Sequence, residues 1–496
     1  MAHQPDGIAW NILLQNLEYY SLTHPIQPPA SNLYLLLRPT QDQDISSFVK
    51  SFSQTLTAQI SLERKKYPTT YDPPNENDLL IDDDTARRIS PSIAEWARHF
   101  HTDPELERKD LLDCQLCHHT TDENTRYSHD DDDPMNTNAE YSDGFKFFCK
   151  CALPLRERKA HAFLRKYRPN SCYDFDEINA AAFFNIQVIK TLLLHGEMDP
   201  VLRVCSHPNV GYRIWRQIGN CYCGDEDLGW NQLYRLALET YLVLNVLYGF
   251  PVLQSQPQSQ SQGDRGEQQQ TDDYRNTKVY QQMLHRCTRE FECQIAKLPH
   301  QQFFGIPDDH FHYDFRVTRD VVEKWPVLAD ALVKSGYTGN FEVEPTTVES
   351  WNALISSLSI GIGQRRIDQK KFPYGTLPFE VFLNCVKRCP YLPHEEEVAE
   401  VWRLLRDCAK LPDELIILIM DFAGYGGERR RLFVAHDPLN LRNREMLERY
   451  LGECWGTLVR CGMFAEALGD PIDWEKEVMD RLRSMFRGPK LELLKV

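Results

Sequence analysis

Apolar side chains recur at intervals of three and four residues along most of this chain, and that spacing constrains the fold more than any other feature. Between residues 45 and 66, Ile45, Phe48, Val49, Phe52, Leu56 and Ile60 fall on one face of a helix. The same interval predicts helices over 10–20, 93–100, 180–194, 280–298, 346–358, 394–409, 412–423, 444–461 and 474–486. Residues 236–253 are almost continuously apolar. They carry Glu239, Asn245 and a Gly-Phe-Pro break, however, so they read as a buried helix and fall short of a bilayer span. Only 303–317 alternates in the manner of a strand. The expected class is mainly α, a multi-domain helical protein with long disordered insertions and a minor β component.

A chain of 496 residues exceeds what one ordinary core organises, so several domains are expected. Pro68, Pro73, Pro74 and the acidic run Asp82 to Asp84 mark an acidic, proline-bearing linker over 67–84, after an N-terminal helical segment, 1–66. A helical Cys/His-containing domain follows over 85–253. It is interrupted at 118–143 by a stretch rich in Asp, Thr and Asn, expected to be a flexible insertion. The next linker is placed at 254–276; within it, SQPQSQSQGDRGEQQQTD holds no aliphatic or aromatic residue and cannot bury a face. A mostly helical C-terminal domain then occupies 277–496.

Acidic side chains number 72 against 56 basic ones, a formal charge of −16, which repels polyphosphate and anionic membrane surfaces. Neither a nucleic acid nor a membrane is the expected partner. The one compact basic run, Arg429 to Arg431, reads as a solvated surface cluster. The first 20 residues lack the basic-then-apolar order of a secretory signal, and fifteen cysteines cannot all pair. Reduced thiols and an intracellular setting, cytoplasm or nucleus, are therefore expected.

Two clusters suggest metal chemistry. Cys114 and Cys117, beside His118 and His119, have the CxxC spacing that lets two thiolates reach one tetrahedral zinc ion, and Cys149 and Cys151 could complete the set. One residue between Cys149 and Cys151 points them apart in a strand, so ordinary reduced cysteines are the alternative. His310, His312 and Asp314 alternate, which in a strand puts all three on one face. That run resembles the HxHxD core of metallo-hydrolase motifs and implies a metal-dependent enzyme, although Phe315 stands where the metallo-beta-lactamase pattern continues with His. A solvated strand face is the alternative. Zinc is the cofactor either cluster implies. No Walker A loop, GxSxG elbow or HExxH motif is present, since Val398 follows three residues after Glu395.

Residues 411–423 read LPDELIILIMDFA, a helix start with Leu415, Ile416, Ile419 and Phe422 as its apolar stripe. This resembles the opening helix of an F-box, LPxELxxxI. The resemblance implies docking through that stripe on a Skp1-type adaptor of a cullin ubiquitin ligase. It covers about one helix; Gly424 to Gly427 and the arginine run stand where a second F-box helix is expected. Residues 181–200 resemble half of one ankyrin repeat with Gly196 as helix cap, and no second copy follows at the required period. The expectation is a noncatalytic protein–protein interaction or scaffold protein, F-box-like, with a zinc-binding module or a metal-dependent enzyme as alternatives.

Overall fold

The computed structural model describes residues 3–22, 30–35, 41–97, 153, 155–166, 175–216, 229–250, 253, 273–288, 295–305, 393–423, 425 and 430–486. Among these residues are thirteen α-helices and one two-stranded sheet, so the fold is mainly α. The helices are α1 (Trp10–Gln15), α2 (Gln41–Arg64), α3 (Asp83–Ala97), α4 (Ala160–Phe163), α5 (Phe175–His195), α6 (Met198–Cys205) and α7 (Asn231–Tyr248). Then come α8 (Lys278–Thr288), α9 (Leu298–Phe304), α10 (Glu395–Asp407), α11 (Asp413–Phe422), α12 (Arg444–Ala467) and α13 (Trp474–Met485). None of them is long and apolar enough to cross a membrane.

The helix expected over 10–20 ends early. After α1 the chain extends into β1 (Leu17–Leu22), paired antiparallel with β2 (Ala30–Leu35) in the register Leu17 to Leu35 and Tyr19 to Leu33. Pairing offers this β-prone Leu-Glu-Tyr-Tyr run a ladder for its backbone while Leu17, Leu33 and Leu35 still reach the core. The sheet also positions helices. The Asn32 carboxamide oxygen accepts from the Val279 N–H at 2.9 Å, satisfying one orphan donor at the start of α8. The Leu35 N–H donates to the Phe486 carbonyl just beyond α13.

The strand expected from residue 303 is also corrected where the structure describes it: Phe303 and Phe304 close α9. Pro299 opens that short helix and Gly305, at φ +65°, ends it in the left-handed conformation. Phe303 lies face to face with Tyr450, ring centroids 3.6 Å apart, and Phe304 meets Tyr280 edge-on.

The core is organised around α12, which packs on α2, α5, α6 and α7. Trp455 contacts Phe52 of α2 and Tyr241 of α7 with centroids 5.5 and 5.4 Å apart, and Phe464 meets Trp230 at 4.9 Å. Gly462 permits the approach of α2, since a Cβ there would sit 2.3 Å from Ile60 Cδ1. Ile45, Phe48, Val49, Phe52, Leu56 and Ile60 are all buried, as their spacing requires. Helix α7 is buried on nearly every side, including Glu239, whose carboxylate is shared by Arg286 at 3.0 Å and Arg481 at 3.3 Å.

Residues on both sides of the Gln/Ser-rich stretch contribute to this one buried cluster. The end of that stretch, 273–276, is not linker: it forms a 3-10 turn that buries Tyr274, whose hydroxyl donates to Asp437 at 2.6 Å. The connection at 67–84 is docked as well. Leu80 and Ile81 donate backbone N–H bonds to the Arg158 carbonyl, and the fully buried Arg158 guanidinium returns bonds to the Ile81 carbonyl and the Asp83 carboxylate.

Candidate functional site

Of the residues singled out as metal ligands, Cys114, Cys117, Cys149, Cys151, His310, His312 and Asp314 all lie outside the described residues, as does the whole of 118–143. Among the described residues no three His, Cys, Asp or Glu side chains gather as a metal ion requires. The described cysteines, Cys205, Cys287, Cys408, Cys454 and Cys461, are unbridged. Burial pushes the Cys205, Cys287 and Cys454 thiols far up and the Cys461 thiol up to about 12, so these four are neutral and pack as small apolar groups.

The stripe Leu415, Ile416, Ile419 and Phe422 does lie on a helix, and the structure divides it. Ile416 is buried together with Met420, four residues on, yet neither belongs to the main core. Leu415, Leu418, Ile419 and Phe422 face outward, and Phe422 is 86% exposed. Their spacing of three, one and three residues places them on one side of α11. Ile417 is half exposed and Leu404 of the neighbouring α10 is likewise 49% exposed.

Helices α10 and α11 form a hairpin that is local in origin. His394 caps α10: its ring nitrogen accepts from the Glu396 N–H, while the Glu397 carboxylate accepts from the His394 N–H at 2.9 Å. Lys410, at φ +52°, turns the chain, and Pro412 sets the extended residue from which α11 starts. The hairpin is tied to the body through Arg430. That arginine forms a backbone bridge with His394 and an ion pair with Glu397 at 2.5 Å, and its Cβ lies 3.0 Å from where a Cβ on Gly305 would stand. The expectation of a solvated basic run is therefore corrected at Arg430, which is 7% exposed; Arg431 stays partly exposed and pairs with Glu453 at 2.7 Å, and Arg429 lies outside the described residues. The hairpin, 393–423, carries eight carboxylates against three lysines and arginines.

A second site was not singled out from the sequence. A cavity of about 290 Å³ opens between α3, the end of α5, α7, α9 and α12. Its polar wall includes Ser92, His195, His300, Tyr450, Thr457 and Arg460. The Ser92 hydroxyl meets His195 Nε2 at 2.8 Å, and the Tyr450 hydroxyl meets His300 Nδ1 at 2.5 Å. Burial lowers both imidazoles, His300 to about 3, so both are neutral near pH 7. The available signal was Glu453, Thr457 and Arg460 recurring at intervals of four and three along α12. Their partners on α3, α5 and α9 come from distant sequence, and no local pattern announces such a meeting.

A family model described as "Gramillins biosynthetic cluster protein GRA5" matches residues 11–489. The match spans the described helices from α1 through α13, and the chain belongs to that family. No curated protein and no solved structure matches it.

Proposed function

We propose that this protein is an interaction protein that uses the outward face of α11 to dock a second protein. The observation that carries the reading is the exposure of Leu415, Leu418, Ile419 and Phe422 on one side of a helix whose neighbours Ile416 and Met420 are buried. A contiguous apolar surface of this kind is unfavourable in water and marks a contact site. The flanking carboxylates, Asp413, Glu414 and Asp421, define the partner's chemistry: an apolar groove edged by lysine or arginine. A second copy of this chain suits the face poorly, because each copy brings the same acidic hairpin and a formal charge of −16.

The family takes its name from a biosynthetic cluster, so proteins encoded with it are one bounded set of partners to try; the F-box-like reading makes a Skp1-type adaptor another. The test places a photo-crosslinking residue at Leu418 of the full chain, with an equivalent at exposed Leu62 as control, and presents each purified candidate. A saturable complex is expected that cross-links from 418 and not from 62. It should weaken at least tenfold on Phe422→Asp and weaken again as salt rises from 0.1 to 0.5 M. A complex indifferent to Phe422→Asp overturns the reading, and so does the absence of any site-dependent adduct across both sets.

A further inference from the structure

Docking through α11 leaves the cavity beside α12 without a role, and its charge arrangement is unusual. The other arginines nearby are matched: Arg431 pairs with Glu453 at 2.7 Å, and Arg88 pairs with Glu197 at 2.5 Å. Arg460 is not. Its Nη2 donates to the Leu194 carbonyl and the Thr457 hydroxyl, each at 3.2 Å, which caps the end of α5. Its Nε is buried with no acceptor, and no carboxylate lies within ion-pair distance among the described residues. A partly buried guanidinium without a counterion is unfavourable, and burial accordingly pushes Arg460 below its ordinary value.

The chain nonetheless makes room for this group. Gly456 sits in the middle of α12, where glycine is less favourable than alanine. A Cβ at that position would stand 2.9 Å from Arg460 Nη1. The glycine leaves the space that the guanidinium occupies, one turn away on the same helix.

The remaining walls set the ligand's charge and body. With His195 and His300 neutral, the ionised groups among the described residues that line the cavity are Arg460, Arg431 and Glu453, which together leave one net positive charge. One positive charge matches a monoanion better than a doubly charged phosphate. The Arg460 Nη1, which takes no acceptor among the described residues, is the donor left to a carboxylate oxygen. Leu233, Ala237, Ile295 and Leu298 form an apolar wall, and about 290 Å³ falls near the lower end of small-molecule sites, roughly 300–1,000 Å³.

We infer that this cavity binds a small organic monocarboxylate, its carboxylate paired with the Arg460 guanidinium and its apolar body against Leu233, Ala237, Ile295 and Leu298. The ligand supplies the counterion that the fold withholds from Arg460.

The test is isothermal titration of the full chain with acetate, hexanoate, octanoate and phenylacetate, alongside octanamide and inorganic phosphate. At least one of the three larger carboxylates is expected to bind saturably and more tightly than acetate. Octanamide, which has no charge, is expected to bind at least tenfold more weakly than octanoate. Arg460→Lys keeps the charge but has no second nitrogen to meet the ligand while holding the Leu194 carbonyl and Thr457, and is expected to lower the affinity at least tenfold. If Arg460→Lys does not fold, Leu298→Trp, which fills the apolar end and leaves Arg460 untouched, is expected to abolish binding. Failure of all four carboxylates to bind overturns the inference. Equal affinity for octanoate and octanamide, tighter binding of inorganic phosphate than of any carboxylate, or full affinity in a folded variant would do the same.

Discussion

Helices α12 and α11 are both dense in apolar residues, and the protein treats them in opposite ways. Along α12, Leu447, Leu451, Leu458, Met463 and Phe464 are buried, because α2, α5, α6 and α7 enclose it. Along α11, Leu415, Leu418, Ile419 and Phe422 are exposed, and its principal neighbour is α10. Apolar periodicity thus reports that a helix has a face to bury. What covers that face is decided by elements far away in sequence, and for α11 the described chain supplies only half a cover.

The sharpest way to break this comparison is to cut into the enclosed side. Phe52 is fully buried between Trp10, Tyr241 and Trp455, so Phe52→Ala removes a ring and leaves a cavity. Loss of about 3–5 kcal/mol is expected, read as a lower urea midpoint at unchanged slope. A loss below about 1 kcal/mol would mean that α2 and α12 do not share a core.

The enclosed side should also be the pH-sensitive one. Burial holds His300 near 3, whereas the unfolded chain's imidazole titrates near 6.5. Between those values the unfolded state binds a proton that the folded state refuses. The stability associated with a neutral His300 is therefore fully present above pH 6.5 and declines as pH falls toward 3. From pH 7 to pH 5 the decline amounts to about 2 kcal/mol for this group. His300→Gln removes that dependence, so the gap in unfolding free energy between wild type and variant should narrow over the same interval. A gap that stays constant would show that His300 is solvated.

How far the sequence foretells this arrangement varies by element. The face of α2 was legible residue by residue, because six apolar positions at helical spacing demand a single buried side. The β1 strand was not: Leu17 to Tyr20 continues the apolar rhythm of α1, and only the distant Ala30–Leu35 segment makes extension the better choice. Arg430 was misread for a related reason. Three consecutive arginines look solvated, yet Glu397, 33 residues earlier in the chain, takes one of them into the interior. The α11 helix was legible as a helix with an apolar stripe, whereas its division into a buried and an exposed set depends on α10. The cavity was the least legible feature, since Ser92, His195, His300 and Arg460 are brought together by four different helices.

The smallest effect on global stability belongs to the open side, where the comparison can be made within one helix. Phe422→Asp alters a side chain that water already surrounds, so the urea midpoint should shift by no more than about 0.5 kcal/mol equivalent. Ile416→Asp, only six residues earlier, places a carboxylate where the hairpin is closed. Ile416 stands outside the main core, so the damage should stay local. Hydrogen exchange is expected to show amides of 393–423 losing protection in Ile416→Asp, while those of α7 and α12 keep theirs. Loss of protection throughout the molecule would instead make the hairpin part of the same cooperative unit as α12, and the contrast between the two helices would then be one of exposure alone.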